Sequence, residues 1–217
     1  MKNFSFLLLL MLASCEIIYD AGTRMMVETQ IRDRDGNPLE NIAVDVVVQS
    51  NNMQETISSG KTDGNGNVLL IFPDPVDVEA EFTIYANPSI SENASTEYQT
   101  RFMPEIRKLD FQQFKYTLSP VTLYKNTDLT TLSIIYDDSD PEFSGVIQID
   151  LVGRDASEDL TPDNDTGIGY DMPSSITVVK NSEYILRYSL VNTAGQRSDF
   201  SVPIVVSDQP LDYTIIY

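Results

Sequence analysis

Run after run of this chain alternates apolar and polar residues with a period of two, and no other feature constrains its fold as tightly. Val27, Thr29 and Ile31 fall on one face. So do Ile42, Val44, Val46 and Val48, with Asp45 and Gln49 opposite. Phe82, Ile84 and Ala86 repeat the pattern, followed by Phe114, Tyr116 and Leu118. Later come Leu132, Ile134 and Tyr136; Ile147, Ile149 and Leu151; Tyr184, Leu186, Tyr188 and Leu190; and Val202, Ile204 and Val206. Period two with β-branched and aromatic enrichment predicts half-buried strands. Between the runs stand turn formers: Asp35-Gly36-Asn37-Pro38, Asp63-Gly64-Asn65-Gly66, Phe72-Pro73-Asp74-Pro75, Ser139-Asp140-Pro141 and Thr193-Ala194-Gly195. Only Pro104–Phe114 carries helical spacing, through Ile106, Leu109 and Gln113, enough for about one or two turns of ~3.6 residues. The chain reads as all-β.

Many short strands with regular turns imply sandwiches or barrels. A seven-stranded sandwich takes roughly 100 residues, and this chain has 217. Two Greek-key β-sandwich domains in series are therefore expected. The polar break Lys125-Asn126-Thr127-Asp128 separates two apolar runs and sets the boundary, with domains at 26–125 and 126–217. A hydrophobic content of 41%, with 11 Tyr and 9 Phe, supplies apolar volume for both cores.

Composition narrows the chemistry. The chain has no His, no Trp and one Cys. That removes Ser–His and Cys–His nucleophile pairs, an imidazole base and His-ligated zinc. One Cys can neither close an intrachain disulfide nor build a cysteine metal cage. With 33 Asp and Glu against 14 Lys and Arg the net charge is −19. Such a surface repels phosphate backbones, so no nucleic-acid partner is expected. Nor is a cofactor or a metal site expected, and the chain is read as a non-enzyme.

The first residues address the chain. Met1-Lys2-Asn3 precedes the apolar stretch Phe4–Leu12, and Ala13-Ser14-Cys15 follows. A stretch of about ten apolar residues covers half of a bilayer, which takes about 20 in a helix. It is an export signal rather than a span. The residues Leu12-Ala13-Ser14-Cys15 resemble the lipobox of bacterial lipoproteins. That resemblance implies a signal peptide at 1–14, acylation of Cys15 and a lipidated tether over 15–25. Each buried acyl methylene contributes about 0.8 kcal/mol, so several chains together hold a folded domain at a membrane. Removal of 1–14 takes Lys2 with it, leaving 13 basic residues against 33 acidic ones. An anionic body gains nothing from an anionic leaflet, so the lipid must anchor it. The expected address is the cell envelope, at the outer membrane. Glu16 alone stands before Ile17 and Ile18, short of the acidic cluster that sends some Bacteroidetes lipoproteins outward. Periplasmic and surface exposure both stay open.

The stretch Val27-Glu28-Thr29-Gln30-Ile31 leads through Asp35-Gly36-Asn37-Pro38-Leu39 into Ile42 and Val44, and Thr62-Asp63-Gly64-Asn65-Gly66-Asn67-Val68 comes later. It resembles the carboxypeptidase regulatory-like, transthyretin-like domains, through Gly36, Pro38, Leu39, Thr62, Asp63 and Gly66. The resemblance implies a seven-stranded sandwich for the first domain, of a kind usually non-catalytic and often found beside enzymes or outer-membrane receptors. Turn chemistry agrees: Pro38 fixes φ, Gly36 permits positive φ, and Asp63 can cap the turn after it. In the second half, Tyr184–Leu190 running into Asn192-Thr193-Ala194-Gly195 is similar to late strands of fibronectin type III domains, although those hold an early core tryptophan and this chain has none. Leu211-Asp212-Tyr213-Thr214-Ile215 echoes Phe114-Lys115-Tyr116-Thr117-Leu118. The second domain is thus either immunoglobulin-like, of the fibronectin kind, or a degenerate copy of the first.

Carboxylates are the abundant reactive groups. Asp137-Asp138-Ser139-Asp140-Pro141-Glu142, and Glu158-Asp159 through Asp163-Asn164-Asp165-Thr166-Gly167, are acidic loops that read first as solvated turns, with a calcium site at Asp137–Glu142 as the second reading. Asp63–Asn67 opens like an EF-hand loop but lacks its later glycine and glutamate. A two-carboxylate hydrolase needs no His, yet no cleft motif identifies one. Tyr85, Tyr98, Tyr124 and Tyr170 lie off the main inward sets and are the candidates for stacking a sugar. The apolar C-terminal run Tyr213–Tyr217 reads as a last strand, or as one that docks on a partner. The resulting expectation is a non-catalytic, lipid-anchored binding or assembly module. Its partners are the membrane, through the lipid, and another envelope protein. The alternative is a carbohydrate-binding lipoprotein of a glycan-uptake system.

Overall fold

A computed structural model describes residues 16–89, 91, 94–153, 158–159 and 174–217. The chain divides into two compact units between Lys125 and Asn126. Both are β-sandwiches, and among the described residues the chain is all-β apart from two single 3-10 turns, Lys108–Asp110 and Asn126–Asp128.

The first unit holds β1 (Tyr19–Arg32), β2 (Ala43–Ser50), β3 (Met53–Lys61), β4 (Asn67–Pro75), β5 (Glu81–Ala86), β6 (Arg101–Arg107), β7 (Lys115–Thr117) and β8 (Val121–Thr122). One sheet runs β3-β2-β5-β6, all antiparallel. The other runs β4-β1-β7, and β8 continues beside β1 where β7 stops. Ser119-Pro120 separates β7 from β8, and a proline has no N–H to give a ladder. Between the sheets lie Val27 and Ile31 of β1, Val44, Val46 and Val48 of β2, Phe72 of β4, and Phe82 and Ile84 of β5, each at most 1% exposed. The alternation read in the sequence is this inward face. Asn51 and Asn52, at φ 52° and 63°, make the β2–β3 turn, a hairpin geometry that needs positive φ at both central positions.

The second unit holds β9 (Leu129–Asp137), β10 (Phe143–Val152), β11 (Glu158–Asp159), β12 (Ser175–Val179), β13 (Ser182–Asn192), β14 (Arg197–Val206) and β15 (Leu211–Ile216). Its sheets run β11-β10-β13-β14 and β12-β9-β15. Matched in chain order, this is the strand order of the first unit. The opening strand pairs antiparallel with the fourth and parallel with the last, and the second strand pairs with the third and fifth. An immunoglobulin partition puts the first and second strands in one sheet, and β9 and β10 lie in different sheets. Of the two readings of the second half, the degenerate copy fits. Its core comprises Leu132, Ile134, Ile149, Leu151, Leu186, Leu190 and Ile215 with their neighbours.

Three sequence expectations shift. Ile147 is 38% exposed and Val146 is buried, because a bulge between Val146 and Gln148 turns the strand by one residue. Phe114 is half-exposed: Gln113 and Phe114, at φ 51° and 64°, form a tight turn closed by the paired backbone bonds of Gln112 and Lys115. Over Pro104–Phe114 the helical spacing yields one 3-10 turn. Ile106 belongs instead to β6, opposite Phe82, and Leu109 points outward.

Candidate functional site

The first unit has two poles, set by the direction of β1. The N-terminal pole carries the entry of the chain, the β2–β3 turn, the loop after β4 and the 3-10 turn Lys108–Asp110. Cys15 lies outside the described residues. Glu16 is exposed, Ile17 is 5% exposed within the core, and the Val76 N–H donates to the Ile18 carbonyl at 2.8 Å. Strand β1 then starts at Tyr19 opposite Pro75, with a bulge between Asp20 and Arg24. The stretch expected as a tether over 15–25 is therefore built into the sheet from Tyr19 onward, because Ile17 is apolar enough to pack and β4 offers an edge to pair. Tyr19 donates its hydroxyl to the Glu55 carboxylate; burial, then that bond and charge, push its pKa up. Lys108 Nζ pairs with Asp74 Oδ1 at 2.7 Å, with side chains 20% and 12% exposed. Ser50 Oγ donates to Asp77 at 2.6 Å, which holds that carboxyl below its usual range, with the Glu79 N–H helping.

The opposite pole gathers the residues that carry the sequence resemblance. Thr62, 3% exposed, donates its hydroxyl to the Leu39 carbonyl at 2.6 Å and accepts the Ile42 N–H at 2.9 Å. Gly66, at φ 74°, gives its carbonyl to the Ile31 N–H; a Cβ there would stand 2.4 Å from Ile31 O and 3.1 Å from Pro38 Cβ. Asp33 and Asp63 each accept two backbone N–H bonds, at 2.9 and 2.8 Å, from residues two and four further on. Asn192 does the same to Ala194 and Gln196 at 3.0 and 2.8 Å. The motif is a structural knot, and its acids are occupied as turn caps. Sequence reasoning passed over Asn87. At 2% exposure it holds the following loop through bonds from Nδ2 to Ser95 and Tyr98 carbonyls at 2.9 and 2.8 Å, and one from the Ser95 N–H at 2.6 Å.

The other candidates separate. In the loop Asp137–Glu142, Asp137 caps the Ser139 N–H and Asp140 caps the Glu142 N–H, while the loop backbone bonds both ends of Tyr217. Among the described residues no three His, Cys, Asp or Glu side chains converge to hold a metal. The stretch 160–167 of the second acidic loop lies outside the described residues, as does Tyr170. Tyr98 packs against the first core with Lys125 over its ring at 5.8 Å. Tyr124 gives its backbone carbonyl to the Gln99 N–H. Tyr85 faces outward from β5, with its ring 6.0 Å from that of Phe102, which is 59% exposed. Beside Tyr85, the outer face of β3-β2-β5-β6 holds a hollow of about 350 Å³ with Asp45, Glu55 and Thr100 in its wall. The C-terminal run is the parallel edge strand β15, with Ile215 fully buried against β9. Its apolar face is used within its own unit. Among the described residues no helix is long and apolar enough to cross a membrane.

No family model and no curated protein matches this chain. Solved structures do. The TIE protein of Bacillus anthracis is 13% identical over 89% of this chain and 34% of its own, at a TM-score of 0.31. The shaft pilin SpaA of Lactobacillus rhamnosus GG is 11% identical over 89% and 98%, at 0.33. The tip fimbrial protein Mfa3 of Porphyromonas gingivalis is 11% identical over 83% and 82%, at 0.30. This chain thus spans about a third of the TIE protein. At such identities and scores, function is read from the chain's own residues.

Proposed function

We propose that this is a cell-envelope lipoprotein: residues 1–14 direct export and are removed, Cys15 is acylated, and the two sandwiches act as a non-catalytic binding or assembly module facing water at the outer membrane. The observation that carries this is the sequence Leu12-Ala13-Ser14-Cys15 at the end of an apolar stretch too short to span a bilayer. Support comes from the fold, whose described core begins at Ile17, two residues after Cys15. The absence of His and the single Cys favour binding over catalysis. Metabolic labelling with a radioactive fatty acid tests the anchor. The wild type incorporates label and partitions into detergent; Cys15→Ala does neither. A native product that keeps residues 1–14, or carries a free thiol at Cys15, overturns the reading. The partner class proposed is another envelope protein.

A second reading rests on Tyr85 and Phe102. Two aromatic faces beside a hollow walled by Asp45, Glu55 and Thr100 suit a sugar, whose apolar face stacks while its hydroxyls find acceptors. Glycan binding abolished by Tyr85→Ala and by Phe102→Ala would place the protein in carbohydrate capture; an array without a hit favours the assembly module.

A further inference from the structure

We infer that the N-terminal pole of the first unit rests on the lipid bilayer, with an apolar rim of Ile18, Val76, Val78 and Leu109 set into its interface. The inference rests on acylation of Cys15 and adds to it a surface and an orientation. Two independent observations carry it. The first is chain length: one residue, Glu16, separates Cys15 from Ile17, which is 5% exposed within the core. An extended chain advances about 3.3 Å per residue, so acyl chains on Cys15 hold the entry of the fold within a few residues' reach of the headgroups. The second is what that pole displays. Ile18, Val76, Val78 and Leu109 are 71%, 55%, 63% and 83% exposed. They are neighbours: Val76 N–H bonds Ile18 O, Lys108 N–H bonds Ala80 O, and Lys108 Nζ reaches the Pro75 carbonyl.

The charges at this pole are arranged compatibly. The carboxylates of Asp20, Asp74, Asp77 and Asp110 are turned onto donors of the chain itself: Gly22 and Thr23, Lys108, Ser50 and Glu79, and Arg107. Glu16, Glu79 and Glu81 stand around the rim, where headgroup water solvates them. Arg107, its side chain 68% exposed, brings a long stem whose head reaches the same layer, while Lys108 stays turned onto Asp74. Burying a rim of this kind about 5–10 Å deep is how peripheral segments lie on a membrane. With β1 running away from the bilayer, the chain leaves the first unit beside Arg32, whose carbonyl takes the Leu123 N–H. The knot of Thr62 and Gly66 lies at that far pole.

The chain is well suited to the test. It has no Trp and one Cys, so a single introduced tryptophan reports alone and a maleimide lipid couples only at Cys15. The chain from Cys15 to Tyr217 is coupled in this way to vesicles of phosphatidylethanolamine and phosphatidylglycerol containing dibrominated phosphatidylcholine. Leu109→Trp and Val78→Trp are expected to lose about half their emission, as fits residues set 5–10 Å into the interface. Asn65→Trp, at the far pole, should lose none. Equal emission from all three, with or without bromine, overturns the rim and leaves the anchor standing, since the lipid was attached chemically. Absence of a fatty acid from Cys15 in cells overturns both.

Discussion

Gly36 and Gly66 occupy the same place in two copies of one turn, yet they are held by different constraints. Both have positive φ, 84° and 74°; around Gly36 nothing would meet a Cβ within 4 Å, whereas at Gly66 the Ile31 carbonyl stands 2.4 Å away. Gly36→Ala should cost about 1–2 kcal/mol, the strain of a left-handed alanine. Gly66→Ala should cost about 3 kcal/mol or more, because backbone must also move. Urea unfolding of the two variants compares them directly, and equal costs would show that the neighbouring strand yields. Thr62 is the second test of the same knot. Thr62→Val removes a hydroxyl that serves a donor and an acceptor at once, leaving Leu39 O and Ile42 N unpaired, so about 2–3 kcal/mol should be lost. Thr62→Ser should retain most of it. These residues were legible beforehand because turns announce themselves in Gly, Pro and Asx chemistry. That Asn192-Thr193-Ala194-Gly195 is a third copy of the turn was not, because it carries Asn192 and Thr193-Ala194 where the other two carry Asp33 with Arg34-Asp35 and Asp63 with Gly64-Asn65, and follows a strand that resembles those of fibronectin type III domains. Nor was Asn87, since a buried asparagine bridging a loop looks in sequence like any asparagine before a proline.

At the scale of elements, the strands were legible wherever one face is wholly buried, and misread where the ladder breaks. Ile149 and Leu151 face the core as alternation predicts, while Ile147 sits outside because the bulge beside Val146 shifts the phase. A bulge depends on the partner strand and leaves no local mark. The echo between Phe114–Leu118 and Leu211–Ile215 was informative: β7 and β15 are the strands that pair parallel with β1 and β9. Because Ile215 is fully buried on β9, a chain ending at Pro210 should lose the unfolding transition of the second unit while keeping that of the first. Two intact transitions by calorimetry would mean β15 is an accessory. The pairing of the 3-10 turn with β4 gives another test. Lys108 faces Asp74 at 2.7 Å with both side chains mostly shielded. Lys108→Met strands that carboxylate and should cost about 3 kcal/mol, whereas Lys108→Met with Asp74→Leu should recover much of the loss. If Lys108→Met alone unfolds at the wild-type urea midpoint, the pair contributes nothing.

Over the whole molecule, one strand order serves twice, and carboxylates held by donors of the chain stand both on its strands, as at Glu28 and Asp199, and at its turns, as at Asp33. Both units therefore depend on pH through capped carboxylates. The Ser189 hydroxyl, then Arg197, hold Asp199 below its usual range; Lys115 and Thr117 do so for Glu28. At Asp33 burial opposes the charge, and the Asn37 side chain with the Asn37 and Asp35 N–H groups outweighs it, so the net shift is downward. A carboxyl lowered in the folded state binds fewer protons there than in the unfolded chain, where an aspartate titrates near 3.9. Its contribution is complete above that value and is lost as pH falls through the lower folded value. Tyr136 sets the other limb. Burial, then the charge of Tyr217, raise it to about 12, so stability is complete below about 10, the unfolded value, and declines as pH climbs toward the folded one. Thermal unfolding followed by tyrosine circular dichroism should therefore show a plateau from roughly pH 5 to 9 with a fall on each side. Asp33→Asn isolates the acid limb. Asn192 already makes the same two caps with an uncharged amide oxygen, so Asp33→Asn should keep the turn but, with no charge for those donors to hold, be less stable than the wild type at pH 7 by about 0.5–1 kcal/mol. At pH 3 it should lose less than the wild type, since the substituted side chain takes up no proton. A variant that falls just as steeply in acid would show that Asp33 acts through shape and not through its charge.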